Sequence, residues 1–324
     1  MVDPESTCEV SLEMNTCVLV TGGSGFIGTW VLRELLNQGA RTVVIDSLKM
    51  PERWERVLGD RSREVAWSDA SLLSCDELLN VIEQHQVTHL IHLAALLTPA
   101  CQQDPWLGCQ VNVMGSTAVF EAARRSGRIR SVSYASSYAV YGPESGAAGG
   151  DQNRPPSFYG AFKQAVDLIA EQYWRHFGIA SVAIRPHVVY GPEREIGLTA
   201  GPSLACRAVA RGESYSIGYT GCVGYDYVED VARAFVRAAL ECPPGATVAD
   251  LPGEQATTEE FVRTIEALAP ESVGTIGISG PAIPANIPPH PKYITELFSD
   301  WQTTSLPDGV RQTIEYYRKD QACS

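Results

Sequence analysis

The octapeptide Thr21-Gly22-Gly23-Ser24-Gly25-Phe26-Ile27-Gly28 follows a short apolar, β-branched run, Cys17-Val18-Leu19-Val20. After it, apolar and polar residues alternate at helical spacing as far as Gln38, and Gly39 stands where a helix would end. The stretch reads as strand, tight turn, helix. Glycines at 22, 25 and 28 let the backbone turn sharply, approach a pyrophosphate and pack the helix on the strand, while the helix N-terminus supplies N–H donors. A second strand, Thr42-Val43-Val44-Ile45, delivers Asp46, where a carboxylate would grip a ribose 2′-hydroxyl and repel a 2′-phosphate. The octapeptide is thus a dinucleotide cradle with NAD preferred over NADP. Lys49 and Arg53, close behind, carry the opposite charge.

Outward from the cradle, strands and helices keep alternating. Asp76 to His85 is read as a helix, Thr88 to Ala95 as a strand running into a small-residue turn, and Leu107 to Ser126 as a long helix. Ser131 to Ser137 is a strand, Ser157 to Phe177 a helix, and Ser181 to Arg185 another strand. This pattern predicts an α/β fold: a doubly wound parallel (Rossmann) sheet with ligands at the carboxyl ends of its strands, and a smaller C-terminal lobe that binds substrate. Residues 1–15 are read as a flexible leader, 16–186 as the NAD-binding domain, and 187–324 as mainly the substrate lobe, with 226–253 returning to the core. Residues 142–156, rich in Gly, Ala and Pro, read as a mobile loop beside the site. Residues 187–227 show turn signals and little regular period. Val228 to Leu240 is helical, Thr247 to Leu251 a strand, Thr257 with Glu260 a capping box, and a last helix follows the Pro-rich stretch 281–291.

Composition narrows the function. The 324 residues carry a formal net charge of −13, with no basic stripe to release counterions from a phosphate backbone, so nucleic acid is not an expected partner. No apolar run approaches the roughly 20 residues that span a bilayer, and the N-terminus lacks a basic, then apolar, signal pattern. A cytoplasmic protein without a membrane partner is expected. The nine cysteines are scattered, without CxxC or His/Cys metal-ligand spacing, which suits reduced thiols and no metal site.

Tyr159 and Lys163 are four apart in a helical segment and share a face. A phenol is a weak base at neutral pH, but a neighbouring ammonium favours its ionised form. Upstream, Ser133-Tyr134-Ala135-Ser136-Ser137-Tyr138-Ala139-Val140-Tyr141-Gly142 places hydroxyls at a strand end, where one could polarise a carbonyl.

With TGGSGFIG at 21–28, Asp46, Asp69, HLAA at 92–95, VNVMGS at 111–116, YASSYAVYG at 134–142, YGAFK at 159–163, RPHVVYGP at 185–192 and DYVEDVARAF at 226–235, the chain resembles the extended short-chain dehydrogenase/reductase superfamily, in particular its NAD-dependent epimerase/dehydratase branch. The resemblance covers roughly residues 16 to 240. It implies Ser137, Tyr159 and Lys163 as the catalytic set, with Tyr159 the acid/base and Lys163 lowering its pKa and holding the nicotinamide ribose. It implies NAD bound by Gly22, Gly25, Phe26, Ile27, Gly28, Asp46, Ser47, Asp69, Ala70, Leu93, Ala94, Ala95, Asn112, Tyr159, Lys163 and Pro186. It also implies a homodimer through the helices at 107–126 and 157–177.

Two departures bear on the substrate. Nucleotide-sugar enzymes of this branch place an Asn and an Arg on the substrate diphosphate. Here Val188 stands in the first place, and Val223 or Tyr225 in the second. A diphosphate buried without charge-assisted donors costs several kcal/mol, although Arg194, Arg207 or Arg211 could substitute. These departures favour net oxidoreduction at a secondary hydroxyl or carbonyl of a sugar-like or small polar metabolite, with Arg194 available for a carboxylate. The alternative is a nucleotide-sugar epimerase or dehydratase with a transient ketone and no net redox. A dinucleotide-sensing protein without activity would have no need of the intact Ser, Tyr and Lys.

Overall fold

In a computed structural model, residues 15–142, 154–251, 253–283 and 292–322 are described; the expected leader and most of the expected loop at 142–156 lie outside them. The elements in order are β1 (Cys17–Thr21), α1 (Phe26–Asn37), β2 (Arg41–Ile45), α2 (Pro51–Leu58), β3 (Ala66–Ser68), α3 (Cys75–His85), β4 (His89–His92), α4 (Thr98–Gln103), α5 (Pro105–Cys109), α6 (Gly115–Ser126), β5 (Ser131–Ala135), α7 (Phe158–Phe177) and β6 (Ser181–Arg185). Then come β7 (Val188–Tyr190), α8 (Gly201–Arg211), β8 (Tyr215–Ile217), β9 (Cys222–Tyr227), α9 (Val228–Leu240), β10 (Ala246–Asp250), β11 (Glu254–Thr257), α10 (Thr258–Leu268), β12 (Ile276–Ile278), α11 (Ile294–Leu297) and α12 (Leu306–Ala322).

Seven strands form one parallel sheet in the order β10-β6-β5-β4-β1-β2-β3. Its strands are short apolar runs because both faces are covered, and side-chain alternation divides them between two cores. Cys17, Leu19, Val43 and Ile45 join Leu78, Phe120 and Val166 of α3, α6 and α7 on one side. Val18, Val20 and Val44 join Trp30 and Leu35 of α1, with Val231 and Phe235 of α9, on the other. The winding direction reverses between β1 and β4, and such a point opens a crevice at the strands' carboxyl ends. The glycine loop after β1 and the Leu93–Ala95 segment after β4 meet there: a Cβ at Gly22 would lie 2.7 Å from the Ala94 nitrogen.

After β6 the chain builds a second layer from a three-stranded sheet, β11-β9-β7, and the pair β8-β12, with α8, α10 and α12 packed on it. The segment 187–227 is more ordered than its sequence suggests: it holds β7, α8, β8 and β9. Helix α8 buries Gly201, Ala205, Cys206, Ala208 and Val209, an amphipathic pattern that the turn-signal reading of this segment passes over. The expected helix 107–126 is present as one continuous helical run, α5 leading into α6 through a π-turn at Gln110–Met114. The Thr257/Glu260 capping box is present in full.

Candidate active site

Three segments converge on the carboxyl edge of the sheet. The strand expected to run to Ser137 stops at Ala135. The backbone then turns so that Ser136 N–H donates to the Ile184 carbonyl and Ser137 caps a 3₁₀ turn, its Oγ accepting from Ala139 N–H at 3.1 Å. Helix α7 starts behind a Ser157 cap, whose side chain accepts from Gly160 N–H, and this fixes where Tyr159 and Lys163 project. The Ser137 hydroxyl donates to the Tyr159 phenol. Lys163 is buried, with Nζ donating to the Ala135 carbonyl at 2.7 Å and lying 5.5 Å from the Tyr159 ring centre. Ser137, Tyr159 and Lys163 therefore share one site.

Burial pushes the Tyr159 phenol up to about 12; the Ser137 hydrogen bond and the Arg194 charge work against that rise, while the Cys101 thiol adds to it. Burial brings Lys163 down to about 8, with Asp167 and Cys101 holding it up. Arg194 adds a second positive charge near the phenol beside Lys163, and sequence spacing does not associate it with Tyr159. Beneath Lys163, Asp167 accepts from Arg185 at 2.6 Å, Ser136 at 2.9 Å and Tyr134 at 3.1 Å. Arg185 continues to the Tyr141 hydroxyl, which donates to Asp250 at 3.0 Å. This buried network ties α7 to β5, β6 and β10.

The residues on the other side of the crevice fit a dinucleotide. Gly25 is exposed, and a Cβ there would meet only the Gly22 carbonyl oxygen, at 3.2 Å, so the space above it is open for a pyrophosphate. At Gly28 a Cβ would lie 2.1 Å from that same oxygen, so this glycine serves the turn itself. Phe26 and Ile27 open α1 beside them. Asp46 accepts the Ser24 N–H at 2.9 Å and the Leu48 N–H at 3.4 Å, which sets its carboxylate at the end of β2 beside the loop. Ser47 is exposed next to it.

Both nearby cations are engaged. Lys49 lies over the Trp54 and Trp67 rings, while buried Arg53 donates to the Ser24 carbonyl and pairs with Glu195 at 3.1 Å. Asp69 accepts from Trp67 at 2.6 Å, and Ala70 N–H donates to Ser68 Oγ, at the end of β3. Leu93 and Ala94 bond back to Thr21. Asn112, buried in the π-turn, brackets the Leu96 backbone, accepting its N–H at 2.7 Å and donating to its carbonyl at 2.9 Å. It thereby fixes the segment that contains Ala95. Buried Pro186 accepts from Tyr138 N–H at the end of β6.

On the substrate side, Val188 and Tyr225 are register partners in β7 and β9. Both are core residues, as is Val223, so whichever alignment is chosen, neither anchor position presents a charged donor. Among the described residues no cluster of His, Cys, Asp and Glu could hold a metal ion, and no helix is long and apolar enough to cross a membrane. None of the seven described cysteines is paired.

The profile of the NAD dependent epimerase/dehydratase family matches residues 18–248. The chain is 28% identical over 316 residues to a UDP-glucose 4-epimerase of Mycolicibacterium smegmatis, covering 93% of this chain and 98% of that one. It is 28% identical over 255 residues to UDP-glucuronate 4-epimerase 2 of Arabidopsis thaliana, covering 72% and 56%. Among solved structures it resembles the Thermus thermophilus UDP-glucose 4-epimerase complex with NAD, with a TM-score of 0.76 and 24% identity over 94% of this chain and 99% of that one. A glycine cradle, an acid at the second strand and a Ser-Tyr-Lys site on one doubly wound sheet agree with the profile: the chain is an NAD-dependent enzyme belonging to the NAD dependent epimerase/dehydratase family.

Proposed function

We propose that this enzyme oxidises a secondary hydroxyl of a sugar-like substrate and reduces the product again before release, as an epimerase or dehydratase with no net redox. The observation that carries this is the Ser137–Tyr159 hydrogen bond beside buried Lys163, at the strand ends of a chain similar over nearly its whole length to a UDP-glucose 4-epimerase. In this reading Tyr159 takes the hydroxyl proton, Ser137 holds the developing carbonyl, and Lys163 keeps a positive charge beneath both. NAD, when bound, supplies the hydride acceptor and, once reduced, the donor; the glycine loop, Asp46 and the Leu93–Ala95 segment would hold it. The segment after Pro186 forms the substrate side. The two helices at 107–126 and 157–177 would pair in a homodimer, a reading supported by the exposed apolar side chains of Leu107, Met114, Leu168 and Phe177, and the unpaired thiols suit a cytoplasmic setting.

Net oxidoreduction is favoured by one observation: the diphosphate-anchor positions hold Val188 and Val223 or Tyr225, all in the core. The two readings separate by product accounting. With NAD and UDP-glucose or UDP-glucuronate, an epimerase or dehydratase converts many sugars per enzyme without accumulating NADH, whereas a dehydrogenase makes NADH one for one.

A further inference from the structure

Helix α2 braces the glycine loop from behind. Trp54 Nε1 donates to the Gly23 carbonyl at 3.2 Å, and Arg53 Nη1 donates to the Ser24 carbonyl at 2.9 Å. The Gly25 N–H donates to the Gly22 carbonyl at 3.1 Å. The peptide joining Ser24 to Gly25 is therefore fixed at both its oxygen and its nitrogen, just ahead of Phe26, where α1 begins. Arg53 is itself held from elsewhere in the chain. Its buried guanidinium pairs with Glu195 at 3.1 Å and Glu193 at 3.5 Å, two carboxylates of the segment that follows β7. Both carboxylates have further partners. Glu193 is buried at φ +71°, accepts from Arg56 at 2.7 Å and from the Tyr316 hydroxyl at 3.1 Å, and donates its N–H to the Tyr317 hydroxyl at 2.8 Å. A non-glycine residue keeps such a backbone only where its surroundings over-determine it. Glu195 reaches Arg207 of α8 at 3.3 Å. One guanidinium thus joins the cofactor loop to the segment after β7 and, through it, to α8 and α12.

Carboxylates close to a loop that receives a pyrophosphate repel it. Their placement here is accounted for by Arg53, whose charge, buried against a neutral carbonyl alone, would be costly. We propose that Glu195 acts through Arg53 as a positioning residue for NAD. The carboxylate holds one arm of the Arg53 fork, and the other arm holds the Ser24–Gly25 peptide, so the cradle is complete only while the segment after β7 is docked on it. NAD affinity then depends on a carboxylate that lies outside the cradle. The tie rests on the NAD site and not on which sugar is converted, so NAD binding alone tests it.

Calorimetric titration of NAD into the full chain, as wild type, Glu195→Gln, Arg53→Gln and the double variant, forms a double-mutant cycle. Nucleotide carried through purification is exchanged for NADH, whose fluorescence on dilution into excess NAD gives the release rate as a second readout. By charge alone, Glu195→Gln removes a negative group from the neighbourhood of the pyrophosphate and would tighten NAD. Positioning predicts the opposite sign. Glu195→Gln should weaken NAD about fivefold, Arg53→Gln should weaken it about tenfold or more, and Glu195→Gln should add nothing in the Arg53→Gln background. Glu195 has 43% of its side chain exposed, so its replacement leaves the fold intact. Should Arg53→Gln not fold, Arg53→Lys, which keeps the charge and loses the fork, takes its place in the cycle, and the Glu195→Gln effect should shrink there. Unchanged or tighter NAD binding in Glu195→Gln would overturn the proposal. Equal weakening in both backgrounds would overturn it too, because Glu195 would then reach the cofactor by a route other than Arg53.

Discussion

The phenol of Tyr159 holds its proton at neutral pH, since burial has pushed it up to about 12. Oxidation that begins with proton loss to this group should therefore accelerate as pH rises. Ser137→Ala should move the rise to higher pH by removing a hydrogen bond that favours the ionised phenol, and a pH profile of kcat/KM in the oxidising direction checks both. Tyr159→Phe removes one hydroxyl and keeps the ring, so turnover should fall by about 10²–10⁴-fold while NAD affinity, measured by calorimetry, is retained. The glycines divide in the same way. Gly25→Ala should cost less thermal stability than Gly28→Ala and weaken NAD, because a Cβ there meets only the Gly22 carbonyl oxygen, at 3.2 Å, and otherwise faces the ligand. Gly28→Ala should destabilise the fold at or beyond the upper end of the ~1–3 kcal/mol range of overpacked cores, because a Cβ there meets the Gly22 carbonyl oxygen at 2.1 Å. The residue type at 25 and 28 was legible in the sequence; which glycine serves the ligand and which the turn was not, since that depends on the distance to an oxygen three or six residues away.

Among elements, those with strong local signals were legible. Helix α9 and strand β6 stand where period and β-branched runs placed them, and the Thr257 cap with Glu260 fixes the start of α10. The π-turn was not legible, because it depends on Asn112 turning inward to bond Leu96, a contact across sixteen residues. Helix α8, packed on α12 and β8, was passed over although Leu204, Ala205, Ala208 and Val209 recur at helical spacing, because the Gly and Pro at its start read as turn signals. The network under Lys163 belongs to this scale. Asp167 and Arg185 are nearly buried, at 9% and 13% side-chain exposure, and 2.6 Å apart. Removing Asp167 takes the directly bonded counter-charge from Arg185 and leaves its charge only the Tyr141–Asp250 end of the network, so Asp167→Ala should cost about 3 kcal/mol in chemical denaturation, the low end for a broken buried pair. With α7 freed from β5 and β6, turnover should fall along with stability.

For the whole molecule, the buried histidine of β4 sets a limit in acid. His92 is bonded on both ring nitrogens, to Thr21 Oγ1 at 2.6 Å and Ser116 Oγ at 2.8 Å, and burial brings its pKa down to about 3 from an ordinary 6.5. Between those values the unfolded chain binds the proton and the native one does not, so this contribution to stability is complete above 6.5 and lost as pH falls toward 3. His187, brought down to about 4 by burial, acts in the same sense. Asp226, raised to about 7 by burial, acts oppositely between 3.8 and 7. Denaturant midpoints measured from pH 7 to pH 4 should fall, and His92→Gln should show a shallower fall.

The central claim, transient oxidation with hydride returned to the same sugar, is tested most directly by counting products. NAD-loaded enzyme is incubated with UDP-glucuronate or UDP-glucose, and converted sugar is quantified against NADH absorbance in the same vessel. The account predicts many turnovers of sugar with NADH never exceeding the enzyme concentration. NADH rising one for one with product, or no conversion of either sugar, would contradict it.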